Sequence, residues 1–325
     1  MPVKIAGPGR ALFLLRAVAM KTVNHILCPV DFSETSAHAV DQAVAIAGWY
    51  RCRITALHVR SPMVLPIPGV PVGAVPTLPV PDEEGHERLV ERVRGLFKKA
   101  GADIRVDVQI ETGLPATVIL ERAAGSGVDL IVMGTHGAGG FTRFVLGSVA
   151  EKVLRKAACP VLTVPPRAHA VSRLPFKRLL CAVDFSEPSV LGVQFALSLA
   201  RESDAQLTLL HVITWPWQEP PAPSLESLPA DVAFNLAEYR RHSEQDALAR
   251  LSALVPVDAR EWCTPSIRVR HGKPYAQTLQ LATEDSADLI VVGVGGRSAI
   301  DVHLLGSTTN QIVRSAACPV LTVRG

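Results

Sequence analysis

The sequence predicts an α/β protein made of two copies of one domain, each a parallel sheet with helices on both faces. Three observations predict it. Short apolar runs rich in Val, Ile and Leu alternate with helix-length amphipathic stretches. The pattern then repeats, NHILCPVDFSETS (24–36) returning as KRLLCAVDFSEPS (177–189) and KAACPVLTV (156–164) as SAACPVLTV (315–323). A glycine-spaced frame also occurs twice, GTHGAGGFTRFVLGS (134–148) and GVGGRSAIDVHLLGS (293–307). A length of 325 residues fits two domains of about 150 residues each.

Taken in order, the first twenty residues include ALFLLRAVAM, whose apolar core is interrupted at Arg16. That is too short for a secretory signal or a membrane span. Residues 1–20 are expected to be a disordered extension, or translation to begin at Met20. HILCPV (25–30) reads as a buried strand, and DFSETS after it carries helix-start chemistry, with Ser33 as cap and Glu34 in the first turn. A helix should follow to about Tyr50, with Val40, Val44 and Ala47 on one face. RITALHV (53–59) is the second strand. Residues 61–82 hold seven prolines, so neither a helix nor a central strand can persist there. A charged helix from about Asp82 to Ala100, a strand IRVDVQI (104–110), a turn ETGLP (111–115) and a helix over 115–125 lead to the strand DLIVM. The glycine frame, a helix from Ser148 to about Ala157 and the strand PVLTV (160–164) close the unit near Pro166. Residues 21–166 are then one domain, 167–176 a linker and 177–325 the second domain. The offset between copies is 153 at Asp31/Asp184 and 159 at Gly134/Gly293, and the six added residues fall between His211 and Arg270. That span is again proline-rich, and an insertion in such an excursion leaves both sheets intact.

Composition bounds the chemistry. A formal charge of +3, with no basic stripe interleaved with aromatics, is no nucleic-acid footprint. The six cysteines form no CxxC and no ligand-like cluster, and four sit beside strand-like runs. That suits small core residues in a reducing cytosol. No G-x-x-x-x-G-K-[ST] is present, and DFSE rather than G-x-G-x-x-G follows the first strand. A P-loop NTPase and a Rossmann dinucleotide site are thereby excluded. No Ser/His/Asp, Cys/His or H-E-x-x-H arrangement offers catalytic residues.

The glycine frame carries the binding chemistry. Gly134, Gly137 and Gly147 precede Ser148, and Gly293, Gly296 and Gly306 precede Ser307, in a strand–loop–helix setting. Glycine lets the backbone approach a ligand and turn its N–H groups inward, and a helix start favours negative charge. Glycines that only make turns and serines that only cap helices would give such a pattern once, but its return in the same context favours a phosphate cradle. Asp31 and Asp184 stand at the carboxyl ends of first strands, where open parallel sheets bind ligands. A carboxylate there accepts from a sugar hydroxyl or an amino group, or caps a helix. His58 and His211 share one strand end and read as structural. His136 has Gly295 as its counterpart and Arg143 has Val302, so neither serves both copies. Trp215, Trp217 and Trp262 cover a ligand or pack a loop.

With these motifs in hand, the chain resembles the universal stress proteins, as a tandem pair, from about His25 to Arg324. The family's ATP signature, G-x2-G-x9-G-[ST], is matched by both frames. The resemblance implies five-stranded parallel sheets of the adenine nucleotide alpha hydrolase-like type, joined through their last strands as an intramolecular pseudo-dimer, with further homodimerisation open. It implies a cytoplasmic ATP-binding protein of stress response or signalling, with magnesium at most riding on the phosphates. It places base and ribose at Pro29, Val30, Asp31 and Val59, and at Ala182, Val183, Asp184 and Val212. Proline against alanine, and Arg297 against Ala138, make the two pockets unequal. Two alternatives stay open: a slow ATPase or adenylyl-transferring enzyme, and a nucleotide-free interaction module that docks partners through its proline-rich excursions.

Overall fold

A computed structural model describes residues 23–61, 83–100, 104–135, 146–166, 176–214, 230–295 and 305–325. The first unit opens with β1 (His25–Pro29), α1 (Glu34–Tyr50), β2 (Arg53–Arg60) and α2 (Glu83–Lys99). It continues through β3 (Val106–Thr112), α3 (Pro115–Gly125), β4 (Leu130–Gly134), α4 (Ser148–Lys156) and β5 (Val161–Val164). The second unit repeats that order in β6 (Arg178–Ala182), α5 (Glu187–Ser203), β7 (Gln206–Ile213), α6 (Ala230–Ala253) and the short α7 (Ala259–Trp262). β8 (Thr264–His271), α8 (Pro274–Glu284), β9 (Leu289–Gly293), α9 (Ser307–Ser315) and β10 (Val320–Val323) complete it.

Local chemistry explains most of these limits. Ser33 caps α1 by accepting the amide of Ser36 at 3.2 Å. Arg51 and Asp204, both left-handed, end α1 and α5. Proline opens α3 and α8, where a missing N–H costs nothing. β3 runs two residues past the expected end, because pairing with β2 continues to Arg60 opposite Thr112 and takes in the first residues of the expected turn. The two units differ most between the second and third strands, and the proline-rich excursions there lie outside the described residues. Among the described residues, α6 has 24 residues against 17 in α2, and the second unit adds the short α7.

All ten strands form one sheet in the order β3-β2-β1-β4-β5-β10-β9-β6-β7-β8. Every pair is parallel except β5 with β10, which run antiparallel with Leu162 opposite Leu321. Thr163 and Thr322 lie buried there, their hydroxyls donating to Val320 and Val161 carbonyls at 3.2 and 3.1 Å. One apolar core, under α1, α2, α5 and α6, runs through both units, and the other face carries a second core under α3, α4, α8 and α9. The join is also polar. Arg324 donates to the carbonyls of Leu154 and Arg155 at the end of α4, at 3.2 and 2.6 Å. Phe176, expected in the linker, is 2% exposed and belongs to the first core. The start of each first strand is clamped alike: Asp129 accepts the amides of Asn24 and His25, and Asp288 those of Lys177 and Arg178. Among the described residues, no helix is long and apolar enough to cross a membrane.

Candidate functional site

Within each unit the strand order reverses between the first and fourth strands, β1 beside β4 and β6 beside β9. The carboxyl ends of those strands flank the crevice in which open α/β sheets hold ligands. Pro29, Val30 and Asp31 leave β1 on one side of it, and Gly134 ends β4 on the other. Ala182, Val183, Asp184 and Gly293 repeat the placement. Gly137 and Gly296, the middle glycines of the frames, lie outside the described residues, as do His136, Arg143, Arg297, Trp215 and Trp217.

The described glycines divide by role. A Cβ on Gly134 would stand 2.9 Å from the Thr35 side chain, and one on Gly293 only 2.6 Å from the Ser189 amide nitrogen. These two glycines let the strand end press against the first turn of α1 or α5. Gly306 is different. Its φ is −54°, open to any residue, and an added Cβ would meet nothing nearer than Thr309 Oγ1 at 4.0 Å. Among the described residues, neither packing nor backbone conformation requires glycine there.

The serines do not cap. Gly147 and Gly306 occupy the N-cap positions of α4 and α9, with no side-chain cap, while Ser148 and Ser307 are exposed first helical residues. The first intrahelical bond of α4 runs from Glu151 N to Gly147 O, 2.9 Å, so the amides of residues 148–150 have no partner within the helix. Partial positive charge concentrates at such an uncapped end. The frame is pinned at its base, with Gly147 N donating to Thr135 O at 2.9 Å and Thr309 Oγ1 to Gly293 O at 2.9 Å.

Around the first-strand ends the two units build the same small device. Asp31 Oδ1 accepts from Ser33 N and Oγ at 3.0 and 2.6 Å, and Asp184 Oδ1 from Ser186 N and Oγ at 2.9 and 2.5 Å. Each carboxylate is thus tied to the residue at its helix start. The intervening Phe32 and Phe185 both have φ of 63°, strained for a bulky side chain. His58 and His211 pack against those rings at 4.7 and 4.6 Å between centroids. The Arg92 and Arg250 guanidinium groups lie over the same rings at 3.9 and 3.8 Å. The sequence reading missed both phenylalanines and both arginines, although a bulky residue between Asp and Ser in each copy is a signal. Val30 and Val183 are 3% and 4% exposed in the α1/α5-side core. Their carbonyls accept from His58 and His211, and their amides donate to Leu57 and Leu210. Val59, Ala182 and Val212 pack on the opposite face with Leu146 and Leu305, just ahead of the uncapped helix ends.

Known proteins align with this architecture over nearly its whole length. The universal stress protein family model matches residues 22–165 and again 175–324. A universal stress protein of Mycolicibacterium smegmatis is 28% identical over 311 residues, covering 92% of this chain and 96% of its own. A single-domain relative from Methanocaldococcus jannaschii is 37% identical over 141 residues, covering 43% of this chain and 80% of its own. The crystal structure of a universal stress protein from Archaeoglobus fulgidus superposes with a TM-score of 0.63 at 22% identity, covering 93% of this chain and 98% of that one.

Proposed function

From the premise that this chain belongs to the universal stress protein family, with two of its domains in tandem, we propose that it binds adenine nucleotide at each glycine frame. ATP is the expected ligand, with magnesium carried on its phosphates, and the protein acts in stress response or signalling through the bound nucleotide rather than through rapid turnover. The observation that carries this reading is the pair of helix ends at Gly147–Ser148 and Gly306–Ser307 with no side-chain cap, Gly306 being under no packing demand from the described residues. A polyphosphate accepting the first-turn amides would use both features. The adenosine would lie over Val59 or Val212 and within reach of Asp31 or Asp184. These carboxylates, held by Ser33 and Ser186, suit hydroxyl or amino donors and would repel phosphate. The two sites would differ, since Glu151 stands in the first turn of α4 where α9 has Asn310.

The test is the nucleotide content of gently purified protein, released by denaturation and quantified by chromatography. About two adenine nucleotides per chain are expected, one per frame. None, with no binding on adding ATP and magnesium, would overturn the reading and favour an interaction module.

A further inference from the structure

A cavity of about 260 Å³ opens in the second unit between the end of β7 and α6. It is not the nucleotide crevice. Side chains alternate along a strand, and His211 and Ile213, which line the cavity, flank Val212, which packs on the other face. Phe185, Ile213 and Ala247 give the lining its apolar part, His211, His242 and Ser243 add polar groups, and Asp246 and Arg250 stand in the same lining one helical turn apart. Their opposite charges are 3.6 Å apart, with side chains 58% and 43% exposed, so solvent reaches both.

The corresponding positions of the first unit carry different side chains. Arg250 over Phe185 matches Arg92 over Phe32, and this alignment of α6 with α2 puts Leu89 at the place of Ala247 and Arg88 at that of Asp246. The strand repeat likewise puts Arg60 at the place of Ile213. At these positions the first unit thus has a leucine in place of the alanine and three arginines, Arg60, Arg88 and Arg92, with no acidic partner among them.

Charge decides what fits. A simple anion meets Arg250 but is repelled by Asp246, and a simple cation meets the reverse. An uncharged apolar molecule would cover both ions without pairing either. A zwitterion pairs with both, because its ammonium and carboxylate are separated by about the spacing of a close ion pair. We propose that this cavity binds a free α-amino acid with an apolar side chain of about the size of leucine. The ammonium would lie on Asp246, the carboxylate on Arg250, and the side chain against Ile213 and Ala247.

The test is calorimetric titration of the full chain with L-leucine, isoamylamine and isocaproate, which carry both charges, the positive one alone and the negative one alone. Leucine should bind saturably in the millimolar range or tighter, and each single-charge analogue at least about ten-fold more weakly. Asp246→Arg, an exposed change to the first unit's residue, should weaken leucine binding by at least about ten-fold while the unfolding midpoint and the adenine nucleotide content stay unchanged. Ala247→Leu, at a position only 4% exposed, should also weaken leucine binding by occupying the cavity, whatever its effect on the unfolding midpoint. Absence of saturable leucine binding, equal binding of an analogue, or undiminished binding by Asp246→Arg would each overturn the proposal. Nucleotide content is read separately, so failure here leaves the two glycine frames untouched.

Discussion

His58 Nδ1 donates to the carbonyl of Val30 across 2.7 Å, and His211 Nδ1 donates to Val183 at the same distance in the second unit. A carbonyl can only accept, so each ring carries its proton on Nδ1. The bond crosses from the end of the second strand to the end of the first and holds the residue just before Asp31 or Asp184. The strained phenylalanine after that aspartate packs on the same histidine. A histidine that reads as structural in the sequence therefore fixes both neighbours of the carboxylate beside the crevice.

His58→Ala should lower stability by about 1–3 kcal/mol, because it removes the donor to a carbonyl beneath the crevice and uncovers one side of Phe32. Urea denaturation should show a lower midpoint at an unchanged slope. Adenine nucleotide content should fall as the Asp31 turn loosens. An unchanged midpoint would mean the bond contributes nothing.

The glycines of one frame should separate folding from binding. Gly293→Ala forces a Cβ within 2.6 Å of backbone and should cost about 1–3 kcal/mol. Gly306→Ala has room and a compatible φ, and should change stability by less than about 1 kcal/mol. It should nevertheless reduce nucleotide occupancy in the second unit, since a methyl group would stand where the phosphates approach. Loss of stability without loss of nucleotide in Gly306→Ala would reverse the assignment.

His25 makes the first unit sensitive to acid. It is 4% exposed, with Nε2 2.8 Å from Thr55 Oγ1 and Nδ1 3.1 Å from the Ser126 carbonyl. Burial holds its pKa below the ordinary value, the hydrogen bond to the Ser126 carbonyl opposes this, the nearby Arg53 charge adds to it, and Gly127 and Asp129 oppose it more weakly. The unfolded chain therefore takes up a proton that the folded chain resists. The stability due to His25 is complete above about pH 6.5 and is lost as pH falls through that value toward the lower folded pKa. Denaturation midpoints measured down this range should fall less steeply in His25→Gln. Parallel curves would show that His25 does not carry the effect.

The thiols should be inert while the chain is folded. Burial pushes Cys28 and Cys318 up to about 12 and Cys52 and Cys159 up to about 11, and it also raises Cys181 and Cys263. Thiolate is the reacting form, so at neutral pH a disulfide reagent should label native protein slowly and all six cysteines once the chain is denatured. Rapid native labelling of any one would identify a site opened by local unfolding.

The repeated domain, the strand and helix order and the two glycine frames are legible in spacing alone. An apolar run, a proline cluster or a glycine acts through local backbone chemistry, and a second copy shows which spacings matter. Strand ends were less legible: β3 reaches Thr112 because its partner β2 does, a matter of pairing between segments about fifty residues apart. The division of labour among the glycines was not legible at all. Gly293 and Gly306 are the same residue type in one frame, and only the approach of α5 to one and not the other separates them.

The same holds for the ring of side chains at each first-strand end. Phe32, His58 and Arg92 lie on β1–α1, β2 and α2, and no local periodicity links them. They meet because the parallel sheet sets β2 beside β1 and α2 packs against β3 and α1. Sequence spacing establishes which segments exist and which repeat, since those depend on interactions between near neighbours in the chain. Contacts between distant segments, from the His58 bond to the cavity opened by Ala247, depend on how strands and helices pack, and that is decided only when the whole sheet has formed.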